Sequence, residues 1–408
     1  MMRFLLLIIP IFIYADSLKS LLDFATKNSD IVVSKTYTQE AKSKDVESKQ
    51  SAFYPTIDVG AFYQTQNEKS PMQAGDVYSG YAKASYEIYD GGRKSSLLSQ
   101  SQNEYKSSKH DSKATKKVLS LQIVQDFFNT KSLESSLESR VEAKKSLNEQ
   151  LVRMKRFHLA KVATKDDVDR LQAAYDTNIY DMESLKLQVL TLKKSLSLKV
   201  GKNIDSFDDS NFVGFREHTL ELTDSVKSLI YKKDALLSGA ESVDSVYYPQ
   251  IKVEDTFSIY GYDRVDATHQ EGIDNQNKLL LSLNMRLYDD GTIAKNKEIL
   301  QINSQALSTQ VSYSKKEQIM QYELALSRIN TNKIKIKSAK SALVSATSAF
   351  ETISKKYDAG IVDNVVYLDA LSSQTGAKAL YKKSLNDLEI AYATYYYYAG
   401  KNIEEFLQ

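Results

Sequence analysis

Tyr89-Asp90-Gly91-Gly92 decides the fold, because it returns 199 residues later as Tyr288-Asp289-Asp290-Gly291. Two other landmarks also return: Tyr54-Pro55 as Tyr248-Pro249, and Gly201-Lys202-Asn203 as Gly400-Lys401-Asn402. A period of about 200 residues is far longer than the units of solenoid proteins. The chain therefore contains two copies of one domain-sized element.

The repeat predicts how the chain is organised. Residues 16–203 form the first structural repeat and residues 220–402 the second; residues 204–219 link them, and residues 403–408 form a C-terminal tail. Residues 1–15 combine basic Arg3, an apolar run over 4–13 and the small residue Ala15. This pattern is typical of a secretory signal peptide and is too short to span a bilayer. A buried N-terminal helix is the alternative.

Composition narrows the function classes. The 408 residues include no cysteine, and 54 basic against 52 acidic residues give a net charge of +2, which does not favour nucleic acid as a partner. The four histidines are far apart in sequence, and no phosphate loop or nucleophile arrangement occurs. We therefore predict no metal site, no cofactor and no enzymatic activity. No apolar run after residue 15 is long enough for a transmembrane helix, so the exported chain is either soluble or crosses a membrane as strands.

The placement of proline predicts very long helices. None of the four prolines lies within 93–200 or 292–402, and a proline costs a helix interior about 3 kcal/mol. The second tract carries the 3-4 spacing of a coiled-coil seam at Ala339, Leu343, Ala346, Phe350, Ile353 and Tyr357. Each tract breaks once, at 157–163 and at 357–362. We predict helices over 93–156, 165–199, 292–356 and 364–399, with further helical tracts at 30–52 and 225–247.

Between the helices, apolar and polar residues alternate. Leu279, Leu281, Leu283, Met285 and Leu287 share one face, opposite Ser282, Asn284 and Arg286. Similar alternation at 56–64, 79–88 and 251–259 gives four strands of about 10–12 residues, the length of a tilted transmembrane strand. A half-buried sheet in a soluble protein would alternate in the same way.

Four strands cannot close a barrel, because the smallest closed barrels have about eight. An open edge facing lipid would leave backbone groups unpaired, so membrane-spanning strands require an oligomer. Two chains would give a barrel filled by side chains, and three would leave a lumen. The polar residues Lys83, Glu87, Asn284 and Arg286 are predicted to face the lumen, which favours three chains.

With these features, the chain resembles the TolC family of outer-membrane efflux and secretion channels. The resemblance covers nearly all of residues 16–402 and rests on the doubled order helix, strand, strand, long helix, short helix, with Tyr-Pro before the first strand and Tyr-Asp-x-Gly after the second. The family's tip pattern of an aromatic, a glycine three residues on and an acid nine residues on falls at Phe157, Ala160 and Asp166, and at Tyr357, Gly360 and Val366. Two positions depart from it: Ala160 replaces the glycine, and Val366 replaces the acid. Asp369 matches a second acidic position, and Val362 stands where the family has an arginine.

The resemblance implies a mainly α fold with β structure: a TolC-like long α-helical barrel, plus four strands per chain that contribute to a trimeric, twelve-strand transmembrane β-barrel. It implies an exit duct in a Gram-negative outer membrane that extends into the periplasm. The duct would be a homotrimer, closed at its helical tip and opened when a periplasmic adaptor and an inner-membrane pump or secretion ATPase dock. The alternative is a non-channel periplasmic or surface coiled-coil protein. The sequence leaves the cargo open between drug, metal ion and protein.

The resemblance also assigns roles at the tips. Asp369, Asp363 and Asp166 are candidate gate residues, where three copies of Asp369 would form an acidic ring that favours cations; ordinary helix-terminal acids are the alternative. Basic residues on the first tip could pair with acids on the second and hold the gate closed: Lys155, Arg156, Lys161 and Lys165 with Asp358, Asp363 and Asp369. The candidate adaptor-docking residues are Leu159, Ala160, Lys161, Val162, Ala359, Gly360, Ile361 and Val362; local packing of the turns is the alternative.

Overall fold

The structure is a computed structural model that describes residues 17–68, 70, 72–204, 206–265 and 272–408. The predicted signal peptide lies outside the described residues. The helices are α1 (Leu18–Asn28), α2 (Asp30–Ser51), α3 (Arg93–Leu159), α4 (Lys165–Val200), α5 (Asp224–Asp244), α6 (Thr292–Asp358) and α7 (Asn364–Tyr398). The strands are β1 (Thr56–Thr65), β2 (Asp76–Tyr89), β3 (Gln250–Asp263) and β4 (Asn275–Asn284). None of these helices is long and apolar enough to cross a membrane.

The predicted helices are confirmed to within a few residues, and one further helix precedes them. Helix α1 carries apolar residues at helical spacing, at Leu18, Leu21, Leu22 and Ala25, and all four are fully buried. Ser17 caps its first turn by accepting a hydrogen bond from the Ser20 amide at 3.2 Å. The chain turns at Ser29, whose extended backbone separates α1 from α2.

The repeated Tyr-Asp-x-Gly motif starts the two long helices. Asp90 accepts hydrogen bonds from the amides of Gly92 and Lys94 at 3.1 and 2.8 Å. In the second repeat, Asp289 accepts from Gly291 and Ile293 at 3.1 and 2.9 Å. Each aspartate therefore satisfies two amides that have no partner within the helix. The motif recurs because both strand-to-helix junctions need this cap.

The residue directly after the capping aspartate differs between the repeats: it is Gly91 in the first and Asp290 in the second. Gly91 adopts φ 67°, and a Cβ there would lie 2.5 Å from the Ser245 carbonyl oxygen. Its counterpart Asp290 adopts a similar φ of 56°. Close packing against Ser245 therefore requires glycine in the first repeat, since the backbone conformation alone admits an aspartate in the second.

The four strands form one antiparallel sheet in the order β1-β2-β3-β4. Lys83 pairs with Asp58 and Thr256, Glu87 with Lys252, and Asn284 with Gln250. Because paired residues and alternate residues share a face, Lys83, Glu87 and Asn284 lie on one polar face of the sheet. The opposite face carries exposed apolar residues: Ile57, Val59, Leu279, Leu281 and Leu283.

Two predictions about the strands are wrong. Strands β2 and β3 have 14 residues each, more than the predicted length. Arg286 lies outside the sheet, because β4 ends at Asn284. The last pair joins Gln250 to Asn284, and the next residue on the β3 side is Pro249, which has no amide hydrogen to donate. Apolar alternation continues beyond Asn284, but pairing does not.

The chain divides into two compact units, and each draws residues from both sequence repeats. One unit contains residues 36–111 and 225–314, including the sheet. The other, here the helical unit, contains the described residues up to Lys35, residues 112–224 and residues 315–408. The repeat and linker boundaries set from the sequence stay a prediction.

A large aromatic cluster forms the main core of the helical unit. Phe127 and Phe128 of α3 pack with Tyr395 and Tyr396 of α7, and all four are buried. The linker joins this core through an antiparallel bridge between Phe212 and the C-terminal tail at Leu407. The tail is therefore a structural part of the unit.

Candidate functional site

Each repeat ends in a helical hairpin, and the two turns have the same backbone geometry. The Val162 amide donates to the Phe157 carbonyl at 2.9 Å, and the Ile361 amide donates to the Lys356 carbonyl at 2.8 Å. The left-handed position is Lys161 in the first turn (φ 60°) and Gly360 in the second (φ 71°). The residue equivalent to the tip glycine is therefore Lys161, and the prediction of Ala160 is wrong. A lysine in this conformation costs about 1–2 kcal/mol.

Asp363 caps α7. Its carboxylate accepts hydrogen bonds from the amides of Val365 and Val366 at 3.1 and 3.0 Å. The first hairpin uses Thr164 in the same place, in a reciprocal capping box with Asp167. The capping alternative for Asp363 is thus present in the structure.

The other two candidate gate acids have different surroundings. Asp166 forms an ion pair with Arg170 at 2.9 Å, one turn along α4. Asp369 is exposed on α7 and forms no ion pair with any residue that the structure describes. Asp369 is therefore the one candidate of the three whose carboxylate forms neither an ion pair nor a helix cap among the described residues.

The predicted ion pairs between the basic first tip and the acidic second tip do not form within the described chain. Lys155 donates to the Gln172 amide oxygen at 2.9 Å; Arg156, Lys161 and Lys165 form no ion pair among the described residues. Asp358 is paired, but with Arg153. The pairing of Arg153 was not predicted because this residue lies on α3, N-terminal to the turn, and the sequence does not show which neighbouring helix its side chain contacts.

A small core lies directly under the two turns and contains residues from all four hairpin helices. Tyr357 stacks on Tyr367 with ring centroids 4.7 Å apart, and burial raises the pKa of Tyr367 to about 12. The buried Asn364 side chain donates to the Asp167 carbonyl at 3.1 Å and ties α7 to α4. The turns are thus held on a packed base.

Most of the predicted docking residues are exposed. Leu159, Ala160, Lys161 and Val162 are exposed in the first turn, and Ala359, Gly360 and Ile361 in the second. Val362 is partly buried against the core under the turns. The alternative of local packing therefore describes Val362, and the other seven are free to contact a partner.

Two helix faces in the helical unit carry exposed apolar residues that sequence reasoning missed. The α4 seam consists of Tyr180, Leu187 and Leu190, and the α6 seam consists of Met320, Leu324 and Ile334; all six are exposed. Their spacing fits the alternating steps of three and four residues of a coiled-coil face. The signal was present in the sequence, but it is separate from the seam that forms the core of each hairpin.

Comparison with known proteins agrees with this architecture. Residues 21–201 match the family described as Outer membrane efflux protein. The outer membrane protein TolC of Vibrio cholerae is 22% identical over 378 residues, which cover 88% of this chain and 84% of that protein. The chain is thus similar to outer membrane efflux proteins, over its first repeat to the family and over most of its length to TolC of Vibrio cholerae. The predicted resemblance to outer membrane efflux proteins is thereby confirmed.

Solved structures show that the fold is that of TolC-family channels. The Campylobacter jejuni CmeC outer membrane channel superposes with a TM-score of 0.85 at 14% identity, covering 95% of this chain and 86% of that chain. A membrane protein from Pseudomonas aeruginosa superposes with a TM-score of 0.83 at 15% identity, covering 94% and 93%. The mainly helical TolC-like fold with four strands per chain is confirmed.

Proposed function

We propose that three copies of this chain form an exit duct through the outer membrane, closed at the tips of the helical hairpins. The duct opens when a periplasmic adaptor and an inner-membrane pump or secretion ATPase dock. The observation that carries this proposal is the sheet, which has one polar face, one exposed apolar face and two edges that pair with no other strand among the described residues. Such a sheet cannot face lipid unless copies pair edge to edge.

Strand number favours three copies. Edges β1 and β4 are open in each chain, and pairing β4 of one copy with β1 of the next gives a twelve-strand barrel with a lumen. Lys83 and Glu87 on the polar face would then contact water in that lumen, and Leu279 and Leu281 would contact lipid. Arg286, outside the sheet, drops out of the predicted lumen set.

The helical unit supports the same ring. Within one chain, α3 is tied to α7 by the Lys378–Glu142 ion pair at 2.6 Å and by the Asn386–Ser132 hydrogen bond at 2.9 Å. The α4 and α6 seams remain exposed on the other helices. A contact between the α4 seam of one copy and the α6 seam of the next is heterologous, and a heterologous contact that closes gives a ring.

The tips supply the gate and the docking site. Three copies of the unpaired Asp369 around an axis would form the acidic ring, whereas Asp363 caps its helix and Asp166 is paired with Arg170. The exposed apolar residues Leu159, Val162 and Ile361 form the surface offered to the adaptor. Docking there would act directly on the turns that carry the gate.

Planar-bilayer conductance tests the proposal. Purified wild-type protein is compared with Asp369→Ala and with Asp169→Ala, a matched loss of one exposed acid on α4. We expect small cation-selective openings from the wild type and from Asp169→Ala, and weaker cation selectivity from Asp369→Ala. Folded protein that forms no channels would refute the duct; an indifferent Asp369→Ala would refute the acidic ring alone.

A further inference from the structure

The two open edges of the sheet carry opposite charges close to the same end. Asp58 lies on β1, and Arg286 lies two residues beyond the last residue of β4. In this antiparallel sheet of four strands, the start of β1 and the end of β4 lie at the same end. Both side chains are exposed, and neither forms an ion pair among the described residues. Each edge therefore offers one unpaired charge to another copy of the chain.

Pro249 ends β4 on one side only. It lies on the β3 side and has no amide hydrogen, so pairing with β3 stops after Asn284. The apolar alternation continues, and Met285, Leu287 and Tyr288 are 48%, 82% and 81% exposed. The other side of β4 meets no strand among the described residues. A strand of another copy can therefore pair there with the residues beyond Asn284 as well.

The pairing of β2 with β3 shows what to expect on that open side, because these strands are the counterparts of β4 and β1 in the two repeats. Counted from the repeated Tyr-Asp motif, Arg286 corresponds to Glu87. Counted from the repeated Tyr-Pro motif, Asp58 corresponds to Lys252. Glu87 lies directly opposite Lys252 in the sheet. The same arrangement between copies would set Arg286 directly opposite Asp58, with the positions of acid and base exchanged.

The local partners of the charge differ between the repeats. Glu87 forms ion pairs within its own chain with Arg93 and Lys94, at 3.2 and 3.1 Å. The second repeat has the uncharged residues Thr292 and Ile293 at these positions. The arginine of the second repeat therefore has no equivalent of these local ion pairs, and its charge is left for a partner outside the chain.

One register uses both charges and keeps both faces of the sheet. A shift by one residue would turn the polar side chains of β4 to the apolar face. A shift by two residues would keep the faces but set Arg286 opposite Thr56 or Gly60, neither of which carries a charge. In the remaining register, Met285 lies opposite Val59 on the apolar face.

The charges also oppose pairing in the exchanged order. If β2 paired with β1 of another copy, Glu87 would lie opposite Asp58. If β4 paired with β3 of another copy, Arg286 would lie opposite Lys252. Like charges directly opposite each other destabilise an antiparallel pair. The four charges therefore favour the pairing of β4 with β1 between copies.

We propose that Arg286 of one copy and Asp58 of the next form an ion pair that fixes the register in which β4 pairs with β1 between copies. The inference rests on the proposed function, because it takes the ring of copies as given, and it names the contact that joins them. The partner is a second copy of this chain, since each copy supplies the acid at one edge and the base at the other. Arg286 therefore serves the contact between copies and not the open lumen.

Cross-linking tests the register with both charges in place. The chain has no cysteine, so two introduced cysteines report on one pair of positions. Met285→Cys with Val59→Cys should give disulfide-linked chains under oxidising conditions, because directly opposite Cα atoms lie about 4.5–5.5 Å apart and a disulfide requires less than about 7 Å. Leu283→Cys with Val59→Cys is two residues out of register and serves as the control. It should stay unlinked, since diagonal neighbours lie about 7–8 Å apart.

Charge reversal tests the ion pair itself. Arg286→Glu replaces an attraction by a repulsion and should weaken the association of detergent-solubilised chains roughly two- to thirty-fold per contact. Adding Asp58→Lys reverses both charges and should restore most of the association. Lys278→Glu makes the same change of charge at an exposed position of β4, away from Asp58, and should leave association unchanged. The readout is the chain concentration at which light scattering shows half of the mass as trimer.

Each result decides a separate point. Links from Leu283→Cys and not from Met285→Cys, or trimers that link through neither, would overturn the register. Arg286→Glu trimers as stable as the wild type would overturn the ion pair, and so would a double reversal no more stable than Arg286→Glu. If circular dichroism shows that a reversed variant has lost its fold, the cysteine pairs decide, because they leave both charges unchanged. Linked trimers that conduct no ions would support the ion pair and refute the duct; conducting trimers linked in another register would do the reverse.

Discussion

The contact between the α4 and α6 seams gives the sharpest test of the proposed ring. Leu187 and Leu190 on α4 and Ile334 on α6 are 64%, 53% and 69% exposed in the single chain. All three lie about 33–38 Å from the turn of their own hairpin, at 1.5 Å per residue. Side chains at equal distance from the tips can meet when α4 of one copy packs against α6 of the next.

The expected loss of association energy follows from the apolar side-chain area that is still exposed in the single chain. Full burial of a leucine or isoleucine side chain contributes about 1.5–3 kcal/mol, and roughly six-tenths of each side chain is still exposed. Each therefore offers about 1–2 kcal/mol to the contact. The double substitution Leu187→Asp with Leu190→Asp should cost about 2–4 kcal/mol at each of three interfaces, or roughly a 30- to 1000-fold weaker association per interface.

The assay is the mass of the detergent-solubilised protein by size-exclusion chromatography with light scattering. The wild type should have three times the mass of one chain, and the double variant should elute as single chains. Gln188→Asp is the control: it adds one negative charge to α4 at an exposed position outside the seam, and it should remain trimeric. Circular dichroism should show that all three proteins keep their helices.

Cross-linking identifies the partner face. In the cysteine-free chain, Leu190→Cys with Ile334→Cys should give disulfide-linked chains under oxidising conditions, since a disulfide requires Cα atoms within about 7 Å. A trimeric double-aspartate variant would refute the role of the seams. If the double-aspartate variant is no longer trimeric but the double-cysteine variant never cross-links, the α4–α6 pairing is refuted.

The helical unit supports two further predictions. Asp363→Ala removes the carboxylate that caps the amides of Val365 and Val366, and should destabilise the protein by about 1 kcal/mol. Asp363→Asn keeps a capping oxygen and should melt near the temperature of the wild type. An asparagine variant as unstable as the alanine variant would contradict the capping role. Burial raises the pKa of Glu389 above its usual range, although its carboxylate accepts a hydrogen bond from the Phe212 amide at 2.7 Å. The folded chain thus keeps this proton to higher pH than the unfolded chain, so its contribution to stability is complete below the unfolded pKa and is lost as pH rises through the folded pKa. Glu389→Gln should therefore melt above the wild type at pH 8, with the difference shrinking toward pH 4; an equal difference at both pH values would contradict this origin.

The helix boundaries could be predicted because local chemistry sets them. Absence of proline over 93–200 and 292–402 permits helices of 67 residues, and Thr164 with Asp167 three residues on marks the start of α4. Helix α1 was missed although its apolar spacing is regular. It has only 11 residues, too few for a pattern to stand out beside α2.

The sequence predicted which residues of a strand share a face, but it did not predict which residues of neighbouring strands pair. Alternation placed Lys83 and Glu87 on the same face of β2 correctly, because within one strand that assignment depends only on odd and even positions. The end of β4 depends on what lies across from it, and alternation cannot show that Pro249 ends the pairing. Arg286 was misplaced for this reason.

The tip residues show the limit of pattern matching most clearly. Spacing places Ala160 at the glycine position of the family pattern, yet the backbone places Lys161 in the left-handed conformation. Periodicity does not reveal this difference of one residue. Arg153 carries the contact expected of Lys155, Arg156, Lys161 or Lys165. Which of several basic residues reaches Asp358 depends on how two hairpins pack, and that is a property of tertiary structure.

The pairing of β2 with β3 has a consequence for the origin of the doubled chain. It joins a strand of the first repeat to a strand of the second, so a chain with one repeat would have to make the same junction between separate molecules. Fusing two copies makes the pairing of β2 with β3 an event within one chain. A short linker between two repeats gives them an effective concentration on the order of millimolar. Half of the junctions in the proposed ring would then form during the folding of each chain, however dilute the protein, and only the other half would await assembly.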